Sequence, residues 1–165
     1  MLVCLASYNP TPRRIIRISI RIKFGGAECD RLASISEPVY AVLRIVAGFL
    51  FWCHGAQKLL GLFPGPQGPM HPHGILLVAG IIEFTCGILI AIGLLASPAA
   101  FLACGEMAFA YFMAHFPRAF WPIQNMGEPA VLNCFIFLYI AARGSGMFGL
   151  DRIFYKRPAT AQAAA

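Results

Sequence analysis

Charged residues are scarce in this chain. They make up 12% of its 165 residues, against about 25% in soluble domains, while 59% of the residues are hydrophobic and the mean hydropathy is +0.70. This composition excludes an ordinary soluble domain and is typical of a membrane protein. The net charge of +6 does not indicate nucleic acid, because the basic residues lie mainly near the two ends, beside apolar runs. The lipid bilayer is therefore the expected partner.

Paired cysteines and cofactor motifs are lacking as well. The six cysteines include no Cys-x-x-Cys pair, so their spacing predicts neither a disulfide framework nor a zinc site. There is no haem motif and no flavin-type Gly-rich fingerprint, which leaves a self-contained redox centre unsupported. We assign no metal site to the loop residues His71 and His73, which have no carboxylate nearby. Packing is the expected role of the cysteines, and Cys53, beside His54, is the one to test for redox chemistry.

Four apolar runs predict an all-α protein, an integral membrane four-helix bundle with short loops and poorly ordered termini. Basic residues are abundant before the first run and after the last. The loop between the first and second runs carries none, and the loop between the third and fourth runs carries only Arg118. The positive-inside rule therefore predicts that both termini are cytoplasmic, which agrees with an even number of crossings. The predicted spans cover approximately residues 38–62, 73–95, 97–116 and 129–142.

Two terminal segments are predicted to lie outside the bundle, which itself covers residues 38–151. Residues 1–37 form a basic extension, in which isoleucine alternates with basic residues as in a strand, although a helix would also gather the arginines on one side. We expect a poorly ordered segment, the alternative being a basic segment on the anionic cytoplasmic leaflet. Residues 152–165 form a basic and then Ala-rich tail.

The first span carries three basic side chains, Arg44, His54 and Lys58, at spacings that place them on one stripe of a helix. A cation at the centre of a lipid-facing helix costs about 2.5 to 3.5 kcal/mol, so these residues should face protein or a polar cavity. The second and third spans each supply one acid, Glu83 and Glu106. We expect the five side chains to meet inside the bundle.

Two interpretations of these charges remain open. In the functional one they line a polar pocket, where Lys58 and His54 donate hydrogen bonds to a carbonyl or anionic ligand and Glu83 or Glu106 accepts a proton. In the alternative, the network only fixes how the helices pack.

The order and spacing of several short motifs resemble the DoxX family of small four-helix membrane proteins. The similarity covers about residues 38–151. The matching features are Arg44 and Gly48; His54-Gly55-x-x-Lys58; Glu83-x-x-x-Gly87 with Gly93-Leu94; Met107 and Ala110; Phe120-Trp121-Pro122-x-x-Asn125-x-Gly127-Glu128; and Gly144-x-Gly146 followed by Leu150-Asp151.

This resemblance implies a bacterial inner-membrane protein, from a family named after components of a thiosulfate:quinone oxidoreductase system. It also draws attention to Arg44, Lys58, Glu83, Asn125 and Glu128. Together with the charge pattern, it yields a candidate pocket of Arg44, His54, Lys58, Glu83, Glu106, Asn125 and Glu128, with no metal.

Three functions follow as hypotheses. The first is a subunit of a quinone-linked electron-transfer or redox-stress system, at most an oxidoreductase subunit, with quinone as the candidate cofactor and a membrane or soluble redox protein as partner. The second is a non-catalytic scaffold that recruits a soluble partner through its basic ends. The third is a solute or proton pathway, which the small size and the lack of an evident inverted repeat weaken.

Overall fold

A computed structural model describes residues 34–64 and 72–154. The predictions for residues 1–33, for His71 and for the tail beyond residue 154 lie outside these ranges. The described residues form helices and no strand. The elements are α1 (Ser36–Leu60), α2 (Ile75–Ile92), α3 (Ala96–Ala110), which continues into a π-helical turn (Tyr111–His115), α4 (Pro122–Asn125), α5 (Glu128–Arg143) and α6 (Asp151–Phe154).

Three of these helices are long and apolar enough to cross a membrane: α1 with 25 residues, α2 with 18, and α3 with its π turn, 20 residues together. The all-α prediction is confirmed. The remaining long helix, α5, has 16 residues. At about 1.5 Å per residue it measures roughly 24 Å, less than the roughly 30 Å of a bilayer core, so a fourth crossing stays a prediction.

Large apolar side chains cover the outside of the helices. Val39, Phe49, Phe101, Leu132 and Phe135 are each more than half exposed. A soluble protein rarely exposes such a continuous apolar surface to water, whereas the acyl chains of lipids contact such a surface without penalty. The exterior therefore fits a lipid environment.

α1 and α2 pack antiparallel at very short range, because glycine occupies their contact positions. A Cβ on Gly48 would lie 2.6 Å from the Ala91 backbone nitrogen and 2.8 Å from the Gly87 carbonyl oxygen. A Cβ on Gly87 would lie 2.5 Å from the Trp52 nitrogen. Close backbone approach of this kind is a principal source of helix association in lipid, where apolar burial contributes little.

The core joins this pair to a second pair formed by α3 and α5, which pack closely against each other. Buried side chains from all four long helices meet in one cluster, in which α3 contributes mainly alanines and α5 contributes large residues. The best-buried members include Phe51 of α1, Ile90 of α2, Ala103 of α3, and Phe137 and Ile140 of α5.

At the end of the bundle where α2 meets α3, the chain after α5 folds back over the turn. The Leu150 N–H donates to the Ile92 carbonyl, and the Asp151 N–H donates to the Gly93 carbonyl. The Asp151 carboxylate accepts hydrogen bonds from the backbone N–H groups of Leu95, at 2.8 Å, and Ala96, at 3.3 Å. Asp151 thus supplies acceptors for donors that the first turn of α3 leaves unpaired.

Candidate functional site

A cavity of about 880 Å³ lies among α1, α2, α3 with its π turn, and α5. Most of its wall is aliphatic or aromatic, including Phe51, Ile82, Met107 and Phe109. The polar side chains on the wall are His54, Lys58, Glu83, Glu106, His115 and Asn133. The volume lies within the range of about 300 to 1,000 Å³ that is usual for small-molecule sites.

The cavity wall reaches the outer surface of the bundle. Ile75 and Leu76 of α2 and Phe101, Leu102 and Phe109 of α3 line the cavity, and each is about half exposed or more. The same side chains therefore line the cavity and form part of the outer surface. The cavity is therefore open to the outside of the bundle, where its exposed rim is mostly apolar.

One ion pair links the first two helices inside this wall. Lys58 Nζ of α1 lies 2.6 Å from Glu83 Oε1 of α2, and the two side chains are 17% and 5% exposed. The pair compensates two charges that would each be costly in lipid. The second carboxylate oxygen of Glu83, Oε2, is buried and has no hydrogen-bond partner among the described residues.

A second carboxylate faces the pair from α3. Glu106 lines the cavity and interacts electrostatically with both Glu83 and Lys58. Its Oε2 atom is buried and, like that of Glu83, lacks a hydrogen-bond partner in the described part of the chain. Lys58 pairs with Glu83 and acts on Glu106 only through its electrostatic field, and each carboxyl group has an oxygen atom free for a ligand donor.

Three further polar side chains complete the wall. His54 stands one helical turn before Lys58 on α1 and is exposed, while Asn133 lies on α5 and is partly buried. His115, in the π turn, places its Nδ1 atom 3.1 Å from the Asn125 carbonyl oxygen. The wall thus combines donors and acceptors, contributed by all four of its elements.

Comparison with known proteins identifies the family. The DoxX family model matches residues 39–116, a range that holds Lys58, Glu83 and Glu106. A protein of Haemophilus influenzae, described as an uncharacterized protein, is 42% identical over an alignment of 124 positions that covers 71% of this chain and 91% of the relative. No solved structure matches at a significant level.

This chain belongs to the DoxX family. Of the residues predicted for the candidate pocket of this DoxX protein, four line the cavity: His54, Lys58, Glu83 and Glu106. The other three, Arg44, Asn125 and Glu128, do not line it.

Arg44 is fully buried near the opposite end of α1. Its guanidinium Nη1 donates hydrogen bonds to the carbonyl oxygens of Ile90 and Ala91, the latter at 2.8 Å. These carbonyls belong to the last turn of α2, where the Gly93 N–H also donates to the Ile90 carbonyl, at 3.1 Å. The guanidinium also places positive charge at the negative end of the α2 dipole. Its geometry fits a cap for α2.

Asn125 and Glu128 lie around the loop before α5. The buried Asn125 side chain donates to the Ala119 carbonyl at 2.8 Å and accepts from the Gly127 N–H at 2.8 Å, so it closes this loop on itself. Glu128 is exposed in the first turn of α5, where its negative charge suits the positive end of the helix dipole.

Sequence interpretation did not assign His115 and Asn133 to the site. Helical spacing from Glu106 leads to Phe109, Ala110 and Met113 on one face, and this face does line the cavity. His115 falls off that spacing, because the π turn changes the register of the helix before it ends. Asn133 is a polar residue within the fourth apolar run. A polar residue in such a run is expected to face the interior, and this was the sequence signal that could have assigned it to the site.

Proposed function

We propose that this DoxX protein binds a quinone-class molecule from the bilayer and serves as the membrane subunit of a quinone-linked redox system. The observation that carries the proposal is the lipid-facing cavity of about 880 Å³, which holds unpaired carboxylate oxygens in a mostly apolar wall. A water-soluble ligand would not need the apolar entrance. A purely hydrocarbon ligand would leave the carboxylate oxygens without partners.

The polar groups suit the two redox forms of a quinone. Lys58 has three N–H donors, of which Glu83 takes one, and His54 adds a ring nitrogen, so both can donate to a quinone carbonyl. The free oxygen of Glu106 can accept a hydrogen bond from the hydroxyl of a quinol. A carboxylate and a histidine beside the ring also provide groups that can take up and release protons when quinone and quinol interconvert.

The proposed setting is a bacterial inner membrane with both termini in the cytoplasm, an orientation that rests on the basic residues beyond the first and last apolar runs. A redox protein is the proposed partner. The scaffold hypothesis rests on the basic ends, which lie mostly outside the described residues. The cavity therefore favours ligand binding as the first function to test.

The direct test is equilibrium binding of a short-chain ubiquinone to the full-length protein in lipid nanodiscs. Gly105 offers a clean block, since it lines the cavity and a Cβ built there has no atom within 4 Å. A Gly105→Leu side chain should fill the cavity without disturbing the fold. We expect saturable binding to the wild type and a Kd raised about tenfold or more in the variant, equivalent to about 1.4 kcal/mol.

A matched control is Val42→Phe, which enlarges an exposed side chain of α1 that does not line the cavity. Its Kd should equal that of the wild type. Absence of saturable binding, or equal affinity in Gly105→Leu and the wild type, would remove the proposal.

The contribution of the polar wall is separable from that of the apolar wall. Glu106→Gln keeps the side-chain volume but replaces the carboxyl group by an amide. The ratio of the Kd for quinol to the Kd for quinone should change, while the free energy of unfolding should stay nearly the same. Equal effects on both redox forms would assign Glu106 to packing.

A further inference from the structure

Two cysteines far apart in sequence meet between α3 and α5. The Sγ atoms of Cys104 and Cys134 lie 3.6 Å apart, although 30 residues separate them along the chain. Both are free thiols, and both are partly buried against the hydrophobic core. A disulfide requires an S–S distance of about 2.05 Å, so the two sulfur atoms must approach each other by about 1.5 Å to bond.

The surroundings give small apolar oxidants access to the pair. Neither thiol is fully buried, and the residues next to them in sequence, Gly105 on α3 and Asn133 on α5, line the lipid-facing cavity. Because both thiols are partly exposed, an oxidant that dissolves in the acyl region can reach them. Among the other described cysteines, Cys53 is partly buried and Cys86 is buried, and neither has a sulfur contact within hydrogen-bond range of a second thiol.

We propose that Cys104 and Cys134 form a redox-active dithiol that a lipid-soluble organic hydroperoxide oxidises to a disulfide between α3 and α5. In the first step one sulfur attacks the peroxide, the O–O bond breaks, and the alcohol leaves with the thiol proton, which yields a sulfenic acid. In the second step the other sulfur attacks the sulfenic sulfur, the S–S bond forms, and the hydroxyl leaves as water with the second thiol proton.

The balance is two thiols and one hydroperoxide to one disulfide, one alcohol and one water. The sulfur pair loses two electrons and the peroxide gains them. Because the second thiol is already in contact with the first, the second step is intramolecular and should outpace further oxidation of the sulfenic acid. This proposal goes beyond quinone binding and does not depend on it.

The test is peptide mapping of the full-length protein in nanodiscs after treatment with cumene hydroperoxide. Remaining thiols are blocked with N-ethylmaleimide before non-reducing digestion and mass spectrometry. We expect a linked peptide that joins Cys104 to Cys134 and disappears on reduction, while Cys53 and Cys86 are recovered alkylated. Recovery of Cys104 and Cys134 as separate alkylated peptides, or as separate sulfinic acids, would overturn the proposal.

Matched single substitutions supply the control. Cys104→Ser should abolish the linked peptide and leave Cys134 open to trapping by dimedone, whereas Cys53→Ser should form the linked peptide in wild-type yield. A second readout does not require any variant to fold. Peroxide-treated wild-type protein should have a higher Tm than the same sample after reduction, because the disulfide ties α3 to α5. An unchanged Tm together with an absent linked peptide would refute the inference.

Discussion

Replacing Gly48 by alanine tests whether direct backbone contact holds α1 to α2. The new Cβ would lie 2.6 Å from the Ala91 nitrogen and 2.8 Å from the Gly87 carbonyl oxygen, whereas ordinary contacts begin at 3.4 Å. Both neighbours are backbone atoms of a helix and cannot rotate away. The helices must therefore separate locally by about 0.8 Å. The atoms of α1 and α2 that are in contact then lose part of their dispersion energy.

The magnitude follows from this geometry. Overpacking of this kind costs about 1 to 3 kcal/mol, and replacing glycine by alanine in a helix returns about 0.5 to 1 kcal/mol, so we expect a net loss of up to about 2.5 kcal/mol. The assay is equilibrium unfolding in mixed detergent micelles, followed by circular dichroism. The free energy of unfolding should fall because α1 and α2 pack less closely, while the helix content of the folded state stays the same.

Gly105→Ala is the matched control, because its Cβ would have no atom within 4 Å. It should leave the free energy of unfolding unchanged or raise it by up to about 1 kcal/mol. If Gly48→Ala proved as stable as Gly105→Ala, the claim that the two helices are held by backbone contact would be wrong.

Two further predictions concern the polar contacts. Lys58→Met should lower the free energy of unfolding by about 3 to 5 kcal/mol, because the 5% exposed Glu83 carboxylate loses its cation. The double variant Lys58→Met with Glu83→Gln should lose much less than the sum of the two single losses. Additive losses would contradict a direct pair. Asp151→Ala should cost about 0.5 to 2 kcal/mol, since two N–H groups at the start of α3 lose their acceptor. The exposed neighbour serves as its control, and Arg152→Ala should stay within about 0.5 kcal/mol of the wild type in the same measurement.

The membrane class and the helices were accessible from sequence because they depend on composition and local order. Long apolar runs favour helices in lipid, where every backbone group needs an internal partner. The helix limits were also close to prediction. α1 begins at Ser36 where the sequence suggested residue 38, and α5 covers Glu128–Arg143 where it suggested 129–142.

The loop before α5 shows a smaller difference. It was predicted only as a loop between the third and fourth spans, and the structure contains the short helix α4 within it. Pro122 stands in its first turn, where a missing N–H costs nothing. A single turn of four residues has too little periodicity for sequence patterns to reveal.

The presence of a charged residue within an apolar run was enough to predict that Lys58 and Glu83 face the interior of the bundle, because a charge in lipid is costly. It was not enough to separate Lys58 from Arg44, which shares its helical stripe. The partners of Arg44 are backbone carbonyls at the end of α2. Every residue has such a carbonyl, so no residue type in the sequence marks them.

Contacts between distant segments depend on the register in which helices pack, and that register is a property of the assembled bundle. The approach of Cys104 to Cys134, the entry of His115 into the cavity wall and the opening of the cavity toward lipid all depend on it. Sequence established which residues avoid lipid, since that preference belongs to each side chain alone. Which of them meet was settled by packing, since the shapes of whole helices set the distances between their side chains.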